Sequence, residues 1–440
     1  MKRLLLLVFF LPMLGQAQTD DNEFAAAIKT EYLFAWKNYI LYAGNNDALR
    51  PVSRKGYEIY FESFLVGRVE NLSTQKIMGL DKEYAENKAY LKAHFTLDRK
   101  VFVPTTEFGQ RIISAFLSAY QSDPDPYYLQ VATNLANKLL PAFSTKTGMP
   151  WRMVSLSSRS VQDQIATPTQ VASLSVEFSL LSKLTRNPLY NKKAVQAAEA
   201  LFALRDSFGL LGTRIDVQSG LWIDKSATMA DGTAGFYRNT LKAWLLGGEN
   251  TYKRIWQEGT TDAKRELLKQ NTHGVYFAHL NGPKHVTDSL YFANEIPLAG
   301  LFALGGQTKF SSALWKYYQS LADTLVLFPQ VWDVKRMRPK YLGYDLKGAD
   351  VENILLQMQY IPNFNGLELS KKIFAEIQKR CKQSYGYTNL SDLYRGIPTD
   401  EMPPEFMAKT LKMLYLIAKP SALDLKKVVF SGNGQPLRWQ

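Results

Sequence analysis

Cysteine is almost missing. Cys381 is the only one in 440 residues, so no disulfide can form within the chain and the fold must be held by packing alone. Histidine is scarce as well. His94, His273, His279 and His285 are the only four; they show no metal-ligand spacing and are expected at the surface or in loops. No apolar run is long enough to cross a bilayer: even Leu4–Leu14 falls well short of the ~20 residues required, so no transmembrane anchor is expected. Basic residues outnumber acidic ones, for a formal charge of +13. They are scattered, however, with no basic stretch interleaved with aromatics, so nucleic acid is not an expected partner and the charge reads as a basic, solvated surface.

What is present begins with a leader. In "MKRLLLLVFFLPMLGQAQTD" two positive charges precede the apolar run, and Gly15 and Ala17 occupy the small-residue positions of a cleavage site. Residues 1–17 are therefore expected to be a signal peptide and the protein to be exported, periplasmic or secreted. Loss of Lys2 and Arg3 with that leader brings the charge from +13 to +11. Residues 18–440 are expected to form a single domain, since no Pro/Ser-rich linker or change of composition divides them. A monomer is expected.

The mature region reads as predominantly helical. Apolar residues recur at three- and four-residue spacing, as in "YYLQVATNLANKLL" and "FMAKTLKMLYLIA". The pattern predicts helices over 22–43, 57–73, 81–94, 107–121, 125–140, 168–184, 188–205, 234–247, 250–270, 287–304, 309–328, 350–360, 367–382 and 402–418. Strand signals are few, chiefly "GTRIDVQSGLW". An all-α toroid of helical hairpins is the economical reading. Within "VPTTEFGQRIISAFLSAYQ", Glu107 stands at a helix entrance with Arg111 one turn on, which on spacing alone is an i,i+4 surface ion pair. Glu177 and Glu352 interrupt apolar helical faces, an expensive placement unless they are paired or line a cavity.

Several stretches together carry a resemblance. "AWKNYILYAGNNDALRPVS" (Ala35–Ser53), "IMGL" (Ile77–Leu80), "RIISAFLSAY" (Arg111–Tyr120), "LANKLLPAFSTKTGMPW" (Leu135–Trp151) and "VEFSLLSKLTRNPLY" (Val176–Tyr190) come first. "LKAWLLGG", "LAGLFALGG", "YDLKGADVEN" and "VVFSGNGQPLRW" follow in order. In order and spacing they resemble the class I α-mannosidases, glycoside hydrolase family 47. The resemblance implies an (α/α)7 barrel and inverting, calcium-dependent hydrolysis of α-1,2-linked mannose. Inversion uses a carboxylic acid and a carboxylate base on opposite faces of the sugar, roughly 6.5–9.5 Å apart.

Carried over residue by residue, the resemblance places Glu107 as the general acid, with Arg111, Glu177 and Glu352 lining the substrate pocket; Glu405, two residues past Pro403, is a candidate substrate-binding replacement for the family acid at that position. Elsewhere the pattern is broken. Ala234 stands at a family acid, Ala349 at the base of an Arg-Pro-Glu motif, and Pro403 at another acid. Gly432 and Asn433 stand at the calcium-ligating threonine and its acidic neighbour. The expectation is therefore a protein of mannosidase descent that binds mannose-containing glycans, with weak or lost hydrolysis and calcium absent or weakly held. Two alternatives stand beside it. One is an active hydrolase with a relocated base, Asp231 or Asp350. The other is a non-catalytic scaffold that binds a protein partner.

Overall fold

The computed structural model describes residues 20–439 apart from Asp231, 283–285, 288–289 and 323–324. The leader, the candidate base Asp231 and His285 thus lie outside the described residues. Fourteen main helices follow in sequence among those described: α1 (Asn22–Ala43), α2 (Val66–Ile77), α3 (Asp81–His94) and α4, which runs through Thr105–Glu107, a π-helical Phe108–Ile113 and Ser114–Ser122. Next come α5 (Pro126–Leu139), α6 (Ser175–Thr185), α7 (Leu189–Phe202), α8 (Ala234–Gly247) and α9 (Asn250–Leu267). The chain ends with α10 (Leu298–Leu304), α11 (Thr308–Ala322), α12 (Ala349–Tyr360), α13 (Leu367–Cys381) and α14, a π-helical Phe406–Leu411 continuing into Lys412–Ala418.

Odd and even helices do different jobs. In α2 every residue from Val66 to Gln75 is buried, and α10 and α14 are buried along their whole length. By contrast, α3 and α9 bury one face. A helix buried all round belongs to an inner layer, and an amphipathic one to an outer layer. The contacts agree: α2 packs on α4, α4 on α6, α6 on α8, α10 on α12, α12 on α14, and α14 returns to α2. Outside them α3 covers α2, α5 covers α4, α7 covers α6, α9 covers α8 and α11 covers α10. This is the all-α, (α/α)7 barrel, with one buried apolar cluster running from Phe24 to Leu437.

The helix over 57–73 is corrected: it begins only at Val66. The buried Asp47 carboxylate accepts backbone N–H groups of Ile59, Phe64 and Val66, which fixes the preceding segment as a loop. The expected helix over 168–184 is broken between Val171 and Ser175. Of 287–304 only Leu298–Leu304 is α-helical among the described residues, after a 3-10 turn at Ala293–Glu295. Leu290–Phe292 pairs with Val331–Asp333 as an antiparallel strand, and α10 starts only after Pro297. Strands are also more numerous than expected. They are hairpin pieces of two to four residues at the helix connections, too short for period-two alternation to register.

Candidate functional site

Both π-helical segments lie on inner helices and bring the site together. In a run of i→i+5 bonds the residue phase departs from that of an α-helix, and Phe108–Ile113 is such a run. The expected Glu107–Arg111 pair does not form. Glu107 is exposed and its Oε2 accepts the Tyr60 hydroxyl at 2.7 Å. Arg111 is buried instead and reaches Glu70 through Nε (2.7 Å) and Nη2 (3.2 Å), and Glu405 through Nη2 (3.1 Å). Asn433 donates a further bond to Glu70 at 2.9 Å. Burial pushes Glu70 up to about 7. Burial also opposes the charge of Glu405, but Arg111 and Lys347 hold its carboxyl below the ordinary value.

A second cluster sits between α8, α12 and α14. Glu352 accepts Lys409 Nζ at 2.6 Å and Lys242 Nζ at 3.2 Å, with Glu352 and Lys242 almost wholly buried. Although burial opposes its charge, the two ammonium groups hold Glu352 well below the usual carboxylate range. Burial brings Lys242 down to about 8 against the pull of Glu352. Lys409 also approaches the Gly432 carbonyl at 3.4 Å. Its charge acts on Glu405 as well as Glu352, so the two clusters form one electrostatic system. Below them, buried Lys412 donates to Ser73 Oγ at 2.9 Å and is lowered by burial to about 7.

Glu177, on α6, is fully buried, and neither carboxyl oxygen has a hydrogen-bond partner. Burial raises it to about 7, opposed by the charges of Arg238 and Lys242. Asp350 is also buried. One of its oxygens accepts the Val351 N–H at 2.9 Å and the other has no partner. Burial brings its carboxyl up to about 6, and its charge bears on the hydroxyls of Tyr318 and Tyr344. Ala349 and Ala234 offer no acid at all. Thus Arg111 and Glu405 are joined directly, Glu352 is linked to them through Lys409, and Glu177 lies within the field of Arg238.

The sequence profile of glycosyl hydrolase family 47 matches residues 31–337 and 364–439. The chain belongs to that family. It is 26% identical over 439 residues to the mannosyl-oligosaccharide α-1,2-mannosidase IA of Drosophila melanogaster, covering 92% of this chain but 65% of the relative. It is 27% identical over 472 residues to the mannosyl-oligosaccharide 1,2-α-mannosidase IA of Sus scrofa, covering 98% and 71% of the two chains. The structure of the α-1,2-mannosidase from Trichoderma reesei superposes with a TM-score of 0.87 at 21% identity, over 96% of this chain and 100% of that one. That likeness establishes the shared fold.

The family's calcium ion is poorly suited by the residues present in this member. A calcium site gathers oxygen acceptors, whereas here Lys409 brings an ammonium against the Gly432 carbonyl and Glu352. Gly432 offers no side-chain oxygen, and a Cβ there would lie 2.8 Å from Gln110 Oε1, so the Gln110 carboxamide would have to shift to admit one. Among the described residues no three His, Cys, Asp or Glu side chains converge as a metal-binding group.

Sequence reasoning passed over Tyr60, Glu70, Arg238, Lys242, Lys409 and Lys412. A signal for the three lysines was available. Charges inside the apolar stretches "LKAWLL" and "AKTLKMLYL" break a buried pattern just as Glu177 and Glu352 do. His279 lies in the connection between the strands Gly274–Phe277 and Leu280–Asn281, as a loop histidine would, but it is buried, with Nε2 3.0 Å from Glu295 Oε1.

Proposed function

We propose that this family member is an exported protein that binds mannose-containing glycans and has largely lost calcium-dependent, inverting hydrolysis. The observation that carries the reading is the lysine pair on Glu352, with Lys409 held between that carboxylate and the Gly432 carbonyl. An internal ammonium thereby supplies the positive charge beside Glu352, with two of its three N–H donors directed at Glu352 and the Gly432 carbonyl. Ala349 removes the base, and loss of a general base costs a factor of roughly 10²–10⁴ in rate. Glu107 keeps an exposed carboxylate that accepts the Tyr60 hydroxyl. Beside Tyr60, the Phe61 side chain is 94% exposed, an apolar ring of the kind that stacks on a sugar face.

The test is proton NMR of the mature protein with α-1,2-linked mannobiose, in millimolar calcium and again with chelator, beside Glu107→Gln. Saturation transfer to the sugar in both media, without turnover over days, is the expected outcome. β-Mannose appearing first, only with Glu107 intact and only with calcium, would overturn the reading. The same product in chelator would favour instead a hydrolase with Asp350 as its relocated base.

A further inference from the structure

The cavity between α8, α10 and α12 contains a guanidinium that the fold leaves unused. Its lining includes Ala234, Arg238, Lys242, Asn294, Leu298 and Glu352, around an empty space of about 320 Å³ with open solvent included. Its enclosed part, about 20 Å³, has room for roughly one water, so it admits only the tip of a group entering from solvent. Ala234, Arg238 and Lys242 are spaced by four residues and so stack on one face of α8. The short side chain of Ala234 leaves the space above Arg238 open. Arg238 Nε is buried and has no hydrogen-bond partner, although its charge acts on Glu177, Lys242 and Glu352.

Charge does not balance here. Glu352 is already engaged by Lys242 at 3.2 Å and by Lys409 at 2.6 Å, and Lys409 also acts on Glu405, so among the described residues lining the cavity one carboxylate, Glu352, faces two cationic side chains, Arg238 and Lys242. Glu177 adds at most a partial charge at neutral pH, since burial raises it to about 7. A sugar hydroxyl can accept the free N–H of Arg238 but cannot offset the surplus charge. An anion does both, and the planar guanidinium offers paired donors to it.

We propose that this cavity binds an anionic group, a carboxylate or a phosphate ester, carried on the glycan, with Arg238 as principal donor and Lys242 beside it. The inference rests on the glycan-binding reading above and narrows its ligand class to charged glycans.

Isothermal titration at low salt with methyl α-mannoside, its 6-phosphate, methyl α-mannuronate and inorganic phosphate tests it. At least one anionic glycoside is expected to bind about tenfold or more tightly than the neutral one, with an advantage that fades as salt is added. Which anionic glycoside binds more tightly identifies the source of the charge. Arg238→Gln should bring the anionic-to-neutral ratio toward one, and Arg238→Lys should keep part of it, with circular dichroism confirming that both variants fold. Equal affinities for the three glycosides, or a ratio unmoved in folded Arg238→Gln, would overturn the proposal while leaving glycan binding intact. Binding of inorganic phosphate with no glycoside of any charge would uphold the anion site and refute the glycan reading. Binding of none of the four would refute both.

Discussion

Glu352→Gln is the sharpest test of the lysine cluster. Glutamine keeps the size and shape of the side chain, so packing changes little and the perturbation is one of charge. Two ammonium groups, 2.6 and 3.2 Å from the carboxylate, lose their shared counter-ion in a buried setting. Removing one partner from a buried ion pair costs about 3–5 kcal/mol, because a desolvated charge is left uncompensated. An unfolding entropy of ~2 cal/mol/K per residue gives about 0.9 kcal/mol/K for a chain of this size, and hence a fall in Tm of roughly 3–6 °C.

The pH dependence carries a sign that a packing defect would not reproduce. Lys242, already lowered to about 8 by burial, drops further once Glu352 no longer favours its charged form. The native variant then binds fewer protons than the native parent near neutrality, while the unfolded lysines are the same in both. Stability rises with pH wherever the unfolded state holds the larger excess of protons. The deficit of Glu352→Gln should therefore shrink as pH rises from about 7 to about 9. Calorimetry across that range is the assay. A loss below about 1 kcal/mol, or one that does not vary with pH, would refute the view that the three side chains act as a charged cluster.

Two further outcomes follow from the same network. Glu177→Gln should remove a pH dependence. The folded carboxyl is raised by burial to about 7 from 4.5, so its stabilising contribution is complete below about 4.5 and lost as pH rises through about 7. Above that pH the variant should be more stable than the parent, by up to about 3 kcal/mol, and a thermal melt at pH 8 no higher than the parent's would count against an unpaired Glu177. Arg111→Met leaves Glu70 and Glu405 facing each other without the guanidinium that joins them. A loss of about 3–5 kcal/mol in urea unfolding is expected at neutral pH, smaller near pH 5 where Glu70 can take up a proton; an equal loss at both values would assign the effect to packing.

The sequence determined the helical class, the family and several helix limits by itself. The reason is that these are local or collinear properties. Three-and-four spacing marks α3 and α8 to the residue, because an amphipathic or buried helix must present apolar side chains at its own period. The late start of α2 was invisible, since it depends on a carboxylate at Asp47 collecting N–H groups from Ile59, Phe64 and Val66. The partner of Arg111 was likewise beyond sequence reach. A π-helical phase shift turns it toward Glu70, 41 residues away along the chain, and toward Glu405 near the far end.

The same distinction governs the site. That Ala234, Ala349, Pro403 and Gly432 carry no side-chain oxygen could be read directly, because this is a property of the residue alone. That Lys242 and Lys409 converge on Glu352, and that Gln110 lies against Gly432, required four helices and the carboxy-terminal hairpin to be brought together. Burial sets the strength of those charges and neighbouring elements set their partners, and both exist only once the barrel has folded.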